Sequence, residues 1–170
     1  KYKFKIIEDA SHAIGGKYLN KPIGNCEYSD ICIFSFHPVK VITTAEGGVA
    51  TTNNKQLAKK MSLLRTHGIN RDLREMNFTP DGPWHYDQIE LGFNYRMSDL
   101  HAALGLSQIN KLNKFISKRN EIALKYNGLL SDLNIREPYV EDTCLSSFHL
   151  YVVQIEGKEP TTLRDKIFEE

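Results

Sequence analysis

The sequence predicts an α/β fold, a mixed and mainly parallel sheet covered by helices, followed by the start of a smaller α+β domain. Three observations carry that expectation. Ile31 to Phe36 is a continuous apolar run, as in a strand covered on both faces, rather than an alternating one. Polar, reactive side chains come directly after the first two apolar runs: Asp9 and His12, then Ser35, His37 and Lys40. Beyond them, apolar residues recur at helical spacing behind Asn and Ser caps.

Each element follows in order along the chain. Phe4 to Ile7 reads as the first strand, in a stretch that is strand-like from Tyr2 onward. Gly15, Gly16, Pro22 and Gly24 make the next segment a loop. Ile31 to Phe36 is the second strand, and Pro38 stops it, because proline has a fixed φ and no N–H to give a ladder. Gly47 to Thr52 is the third strand, with Gly47 and Gly48 permitting a tight turn into it. Asn53 or Asn54 caps a helix bearing Leu57, Met61 and Leu64. His67 to Leu91 holds Gly68, Pro80, Gly82 and Pro83, and reads as a long irregular connection of the kind that is functional or forms a lid. Ser98 caps a helix running through Leu100, Ala103, Leu104, Leu106, Ile109 and Leu112. A second helix runs from about Lys114 to Leu130 and carries Phe115, Ile122 and Tyr126. Phe148 to Ile155 reads as a strand and Gly157 to Pro160 as a turn. The texture changes between Pro138 and Ser146, so residues 1–140 are assigned to the larger domain and 141–170 to the incomplete start of the smaller one. Lys1 is not an initiator Met, and Thr162 to Glu170 reads as a helix opening without a cap, so an internal segment of a longer protein is expected.

Composition narrows the function classes. Lys and Arg total 22 against 21 Asp and Glu, a net charge of +1 with no block of like charge. Nothing electrostatic favours nucleic acid or an anionic membrane as a partner, and no apolar run is long enough to span a bilayer. Apolar residues make up 41%, an ordinary share for a globular protein. The three cysteines, Cys26, Cys32 and Cys144, have neither CxxC nor zinc-ligand spacing, which suggests buried thiols in a reducing, cytoplasmic setting. His67, His85, His101 and His149 lack metal-ligand spacing, so no metal site is expected.

The chemistry lies at the strand ends. In open α/β sheets the ligand crevice lies beyond the carboxyl ends of the strands, so Asp9 and Lys40 could face one pocket. One chemistry that uses such a pair is that of pyridoxal phosphate. A desolvated lysine forms a Schiff base with an aldehyde, and a carboxylate opposite the pyridine nitrogen keeps that nitrogen protonated, making the ring an electron sink. Taken singly, each residue also reads as a solvated loop end, and His37 reads equally well as a packed, hydrogen-bonded histidine.

The ordered segments EDASHAIGGKYLNKPIG, FSFHPVKVITTAEGG, LRTHGINRD and LGFNYRMSDLHAALGLSQINKL resemble those of the pyridoxal-phosphate-dependent sugar nucleotide aminotransferases, the DegT/DnrJ type of the aspartate aminotransferase fold. FSFHPVK with ITTAEGG and PWHYDQIELGFNYRMSDL is most similar to the branch that aminates carbon 4 of a UDP-linked 4-keto-6-deoxy-N-acetylhexosamine on the route to pseudaminic acid. The resemblance implies a fold-type I large domain with pyridoxal 5'-phosphate as cofactor, glutamate as amino donor and a homodimer with a shared active site. It implies that Lys40 forms the Schiff base and moves a proton, Asp9 pairs with the pyridinium nitrogen, and His12 lies against the ring or near its phenolate oxygen. Ser35 would bind the phosphate, and Asn94 the phosphate of the neighbouring subunit's cofactor. Tyr95, Arg96 and His37 would border the substrate, Arg96 matching a diphosphate because its planar fork grips phosphate oxygens. Two alternatives stay open: a non-catalytic, aminotransferase-like interaction or regulatory module, and a sugar dehydratase using the pyridoxamine form. The second is disfavoured because dehydratase relatives carry His where Lys40 stands.

Overall fold

The computed structural model describes residues 2–76, 78–155 and 160–169. In chain order the first strands are β1 (Ile7–Asp9), the short β2 (Lys17–Tyr18) and β3 (Lys21–Pro22), then β4 (Ile31–Ser35) and β5 (Gly48–Thr51). The sheet that carries the candidate site has the order β1-β4-β5. β1 runs parallel to β4, with Ile7 opposite Ile31 and Asp9 opposite Ile33. β5 runs antiparallel to β4, with Ser35 opposite Gly48, so the sheet is mixed.

Burial explains the continuous apolar run of β4. Cys32 and Phe34 are buried on one face, while Ile31, Ile33 and Ser35 are half-buried on the other, so neither face is left to water. Ala10 and Cys26 complete the core around Cys32 and Phe34, with Ile14, Ile23 and Phe36 packed against it.

The first strand begins three residues later than the sequence suggests. Its partner starts only at Ile31. Ahead of it the Asp30 carboxylate takes the N–H of Ile6, and the Asp30 N–H donates to the Ile6 carbonyl, both at 2.9 Å. That exchange occupies the backbone groups a longer ladder would need, and Tyr2 and Phe4 remain exposed. The expected Gly-rich loop contains a hairpin, β2 paired with β3. Its turn residues Leu19 and Asn20 have φ of 49° and 63°, the left-handed pair that a two-residue hairpin requires. No Asn-Gly signal marks it in the sequence.

Helix α1 (Lys55–Leu64) settles the choice of cap: Asn54 Oδ1 accepts the N–H groups of Gln56 and Leu57. Asn53 has another task, its amide donating to the carbonyls of Asn25 and Cys26. The long connection that follows is closed by a ribbon of β6 (Ile69–Asn70) against β7 (Asp87–Gln88), with a 3₁₀ turn at Leu73–Glu75. Its entry needs glycine. Gly68 has φ of 67°, and a Cβ there would lie 1.8 Å from the Glu90 carbonyl oxygen.

Helix α2 (Asp99–Ile109) is capped by Ser98, whose Oγ accepts the N–H of His101. It ends sooner than the apolar pattern suggests, because Leu112 opens the next helix, α3 (Leu112–Leu130), in place of Lys114. The remaining elements are β8 (Ile135–Arg136), β9 (Cys144–Leu145), β10 (Gln154–Ile155) and α4 (Pro160–Glu169). β9 adds to the free edge of β2, and β10 pairs antiparallel with β8. The strand expected from Phe148 is confined to its last two residues. Phe148 has φ of 41°, and Arg119 takes the carbonyls of Phe148 and His149, so no ladder can form there. Most of the expected turn at Gly157 to Pro160 lies outside the described residues, and Pro160 opens α4. Two of the three cysteines are buried as expected; Cys144 is exposed, because the short strand β9 lies at a sheet margin. Among the described residues no helix is long and apolar enough to cross a membrane.

Candidate active site

Two strand ends and one turn build the site. β1 stops at Asp9, where an Asx turn takes over: Asp9 Oδ1 accepts the Ser11 N–H at 3.0 Å and the Ser11 hydroxyl at 2.6 Å. Those two bonds, the hydroxyl first, hold the Asp9 carboxyl below the usual carboxylate range, and the charges of His12 and Lys40 act in the same direction. Asp9 is therefore an exposed, ionised carboxylate. Both bonds fall on Oδ1, so Oδ2 stays available to a cation.

β4 stops at Ser35, and Pro38 places the chain in a turn closed by the Lys40 N–H on the His37 carbonyl at 3.0 Å. A longer loop surrounds that turn. Phe36 N–H donates to the Gly47 carbonyl, and Thr44 N–H returns to the Phe36 carbonyl at 3.0 Å. Val41, Ile42 and Thr44 are buried. Three anchors within four residues thus follow the half-buried Lys40, and its position is set by tertiary packing rather than by the strand.

Lys40 lines a cavity of about 600 Å³. Its far wall is α3, with Phe115, Arg119 and Tyr126, and its rim carries His149. No Asp or Glu lines it, whereas Lys40, Lys118 and Arg119 do. His149 is the residue that sequence reasoning passed over. Its imidazole lies edge-on to that of His12, ring centres 4.4 Å apart. Its Nδ1 is buried and makes no hydrogen bond. Burial first, and then the charges of His12, Lys40 and Arg119, hold its pKa below the ordinary value. Only the surplus of polar residues in SSFHL hinted at a role, since His12 and His149 are far apart in sequence.

The structure brings some of the expected site residues together and leaves others apart. The charges of His12 and Lys40 both act on Asp9, but neither Asp9 nor His12 lines the Lys40 cavity. Ser35 is half-buried at the end of β4, its Oγ 3.4 Å from the His37 N–H, and the His37 side chain is exposed. Tyr95 and Arg96 line a different cavity, formed with β5 and α1, that shares no lining residue with the Lys40 cavity. Asn94 bridges to Thr66 through the backbone and has an exposed side chain. Tyr95 stacks on Phe93 with ring centres 4.9 Å apart.

The residues at the two strand ends fit pyridoxal phosphate: a half-buried amine, Lys40, and beyond the neighbouring parallel strand an ionised carboxylate, Asp9, with one free oxygen. Known proteins point the same way. The model of the DegT/DnrJ/EryC1/StrS aminotransferase family matches residues 1–170. The chain is 43% identical over 159 residues to the UDP-4-amino-4,6-dideoxy-N-acetyl-beta-L-altrosamine transaminase of Campylobacter jejuni, covering 90% of this chain and 38% of that protein. Its fold matches Helicobacter pylori PseC, an aminotransferase involved in the biosynthesis of pseudoaminic acid, with a TM-score of 0.84 and 34% identity over 98% of this chain and 42% of PseC. It also matches Streptococcus pneumoniae Spr1654, solved in its PLP form, with a TM-score of 0.83 and 29% identity, covering 97% of this chain and 41% of Spr1654. The chain thus spans about 40% of the length of these relatives.

Proposed function

The chain belongs to the DegT/DnrJ/EryC1/StrS aminotransferase family, and on that premise we propose that the protein transfers an amino group, from glutamate, to the keto carbon 4 of a UDP-linked deoxy-sugar with pyridoxal 5'-phosphate as cofactor. The observation that carries this reading is the placement of Asp9 and Lys40 beyond the carboxyl ends of two neighbouring parallel strands. An ionised carboxylate ends one strand, and a half-buried lysine, within reach of its charge, follows the parallel neighbour.

Bound pyridoxal phosphate supplies an electron sink that stabilises a carbanion next to nitrogen. The chain's own residues do the rest. Lys40 would hold the cofactor through Nζ, and the same atom would carry a proton between two carbons. Asp9 would pair through Oδ2 with the pyridinium nitrogen, and the Ser11 bonds on Oδ1 keep the carboxylate charged and fixed in direction. The Ser35 hydroxyl would bind the phosphate, and His12 would lie against the ring or near its phenolate oxygen. His37, Tyr95 and Arg96 would border the substrate, Tyr95 and Arg96 from a cavity other than that of Lys40. Asn94, exposed and apart from the Lys40 cavity, serves the partner subunit of a homodimer. The substrate class follows the Campylobacter jejuni and Helicobacter pylori relatives. On this reading residues 1–140 belong to the cofactor-binding domain and 141–170 open the smaller one.

The test uses the full-length protein. Borohydride reduction after loading with pyridoxal phosphate is expected to attach the cofactor to the peptide bearing Lys40. Glutamate plus a UDP-4-keto-sugar is expected to yield the amino sugar, and Lys40→Ala to abolish both results. Cofactor fixed elsewhere, or a product that loses a hydroxyl instead of gaining an amine, refutes the assignment.

A further inference from the structure

We propose that His149, seated by α3 and lining the Lys40 cavity, is a positioning residue that holds the His12 imidazole beside that cavity. Its part in the reaction rests on the reading of the Lys40 site given above, whereas the ring contact stands by itself. The observations form one mechanical chain. Asn120 Nδ2 donates to the Ser146 carbonyl at 2.9 Å. Ser147, buried, donates through Oγ to the backbone carbonyl of His12 at 2.7 Å. Arg119 Nη1 donates to the carbonyls of Phe148 and His149 at 2.9 and 3.3 Å. Four successive residues are thereby tied down, three of them to α3 and one to the His12 backbone itself.

That clamp has a conformational cost. Phe148 is held at φ of 41°, a region that a bulky side chain rarely occupies. The strained turn breaks what the sequence pattern makes a strand and directs His149 at His12. Arg119 has no carboxylate partner among the described residues, so its bonding is spent on the two carbonyls of this turn. The groups facing His149 are His12 from the β1 turn, Lys40 from the β4 turn and Arg119 from α3, all of them basic. They disfavour its protonation, and a neutral imidazole can pack against His12 without charge repulsion.

The experiment separates position from chemistry. In the full-length protein, with histidine labelled at Cε1, the His12 resonance is recorded without cofactor. His149→Ala is expected to move it, because the ring contact is lost, and His149→Phe to return it, because an aromatic ring of similar shape remains. Arg119→Met, which keeps the stem and removes the donors, is expected to move it as well. In the loaded enzyme, kcat for the glutamate half-reaction is expected to fall roughly ten- to a hundredfold in His149→Ala, with KM little changed, and to recover in His149→Phe. An unmoved His12 resonance in His149→Ala overturns the proposal. So does a His149→Phe enzyme with the resonance restored and the rate still lost, since the nitrogens would then act directly. The resonance needs no cofactor, so failure of the cofactor assignment leaves this result readable.

Discussion

Thr44 offers the sharpest test of how the Lys40 loop is held. It is 2% exposed, its Oγ1 donates to the Glu46 carbonyl at 2.7 Å, and its N–H donates to the Phe36 carbonyl. Its methyl faces α2: a Cβ added to Gly105 would come within 2.8 Å of Thr44 Cγ2. Two substitutions divide these contributions. Thr44→Val keeps the shape and removes the hydroxyl, so its part-buried bond to the Glu46 carbonyl is lost, which costs about 1–1.5 kcal/mol. Thr44→Ser keeps the hydroxyl and removes one methyl, which costs about 1 kcal/mol for transfer and the small void left behind. Urea unfolding, with the midpoint compared at constant slope, measures both. The expected order of stability is wild type, then Thr44→Ser, then Thr44→Val. A Thr44→Val protein within about 0.5 kcal/mol of wild type would refute the reasoning, because the buried Oγ1 bond would then contribute nothing net. A Thr44→Ser protein less stable than Thr44→Val would refute it too, by making the α2 contact rather than the hydroxyl bond the anchor.

Two further predictions concern titratable groups. The Cys32 thiol is fully buried, and burial together with the Glu8 carboxylate pushes it up to about 12, while Cys144 is exposed. A thiol reagent at pH 8 is therefore expected to label Cys144 rapidly and Cys32 only on unfolding; mass analysis of the labelled peptides decides, and fast labelling of Cys32 would contradict its burial. His149 is held below its ordinary value of 6.5, mainly by burial. The unfolded chain then takes up the proton first, so stability present above about pH 6.5 is lost as the pH falls from there toward the folded-state value. Melting temperatures measured through that window are expected to fall less steeply in His149→Phe than in wild type, and equal slopes would count against it.

Much of the fold was legible because it depends on local chemistry. The β4 run, the Ser98 cap and the periodicity of α1 each express a requirement that a few neighbouring residues meet alone. The misreadings have a shared cause. The stretch from Phe148 looks like a strand because FHLYVVQI has the side chains of one, and Arg119 overrides them by taking the carbonyls. Phe4 looks like a strand residue until Asp30 occupies the backbone of Ile6. Leu112 fits the period of α2 and opens α3 instead. In each case a partner distant in sequence, or a turn without a composition signal, decided the outcome.

The candidate site divides along the same line. Asp9, Ser35, His37 and Lys40 were visible from sequence because reactive residues sit where apolar strands end, and strand ends are where an α/β sheet presents its crevice. Which of them share a pocket was not visible. Contact between His12 and His149 depends on α3 passing behind the turn and binding it through Arg119 and Asn120. The separation of Tyr95 and Arg96 from Lys40 depends on the two cavities opening on different element pairs. Sequence alone determined the kind of chemistry and the strand ends that offer it, because residue type and local spacing are properties of the chain itself. Only the tertiary structure decided which side chains meet and which nitrogen is left buried without a partner, because those depend on hydrogen bonds between segments more than a hundred residues apart.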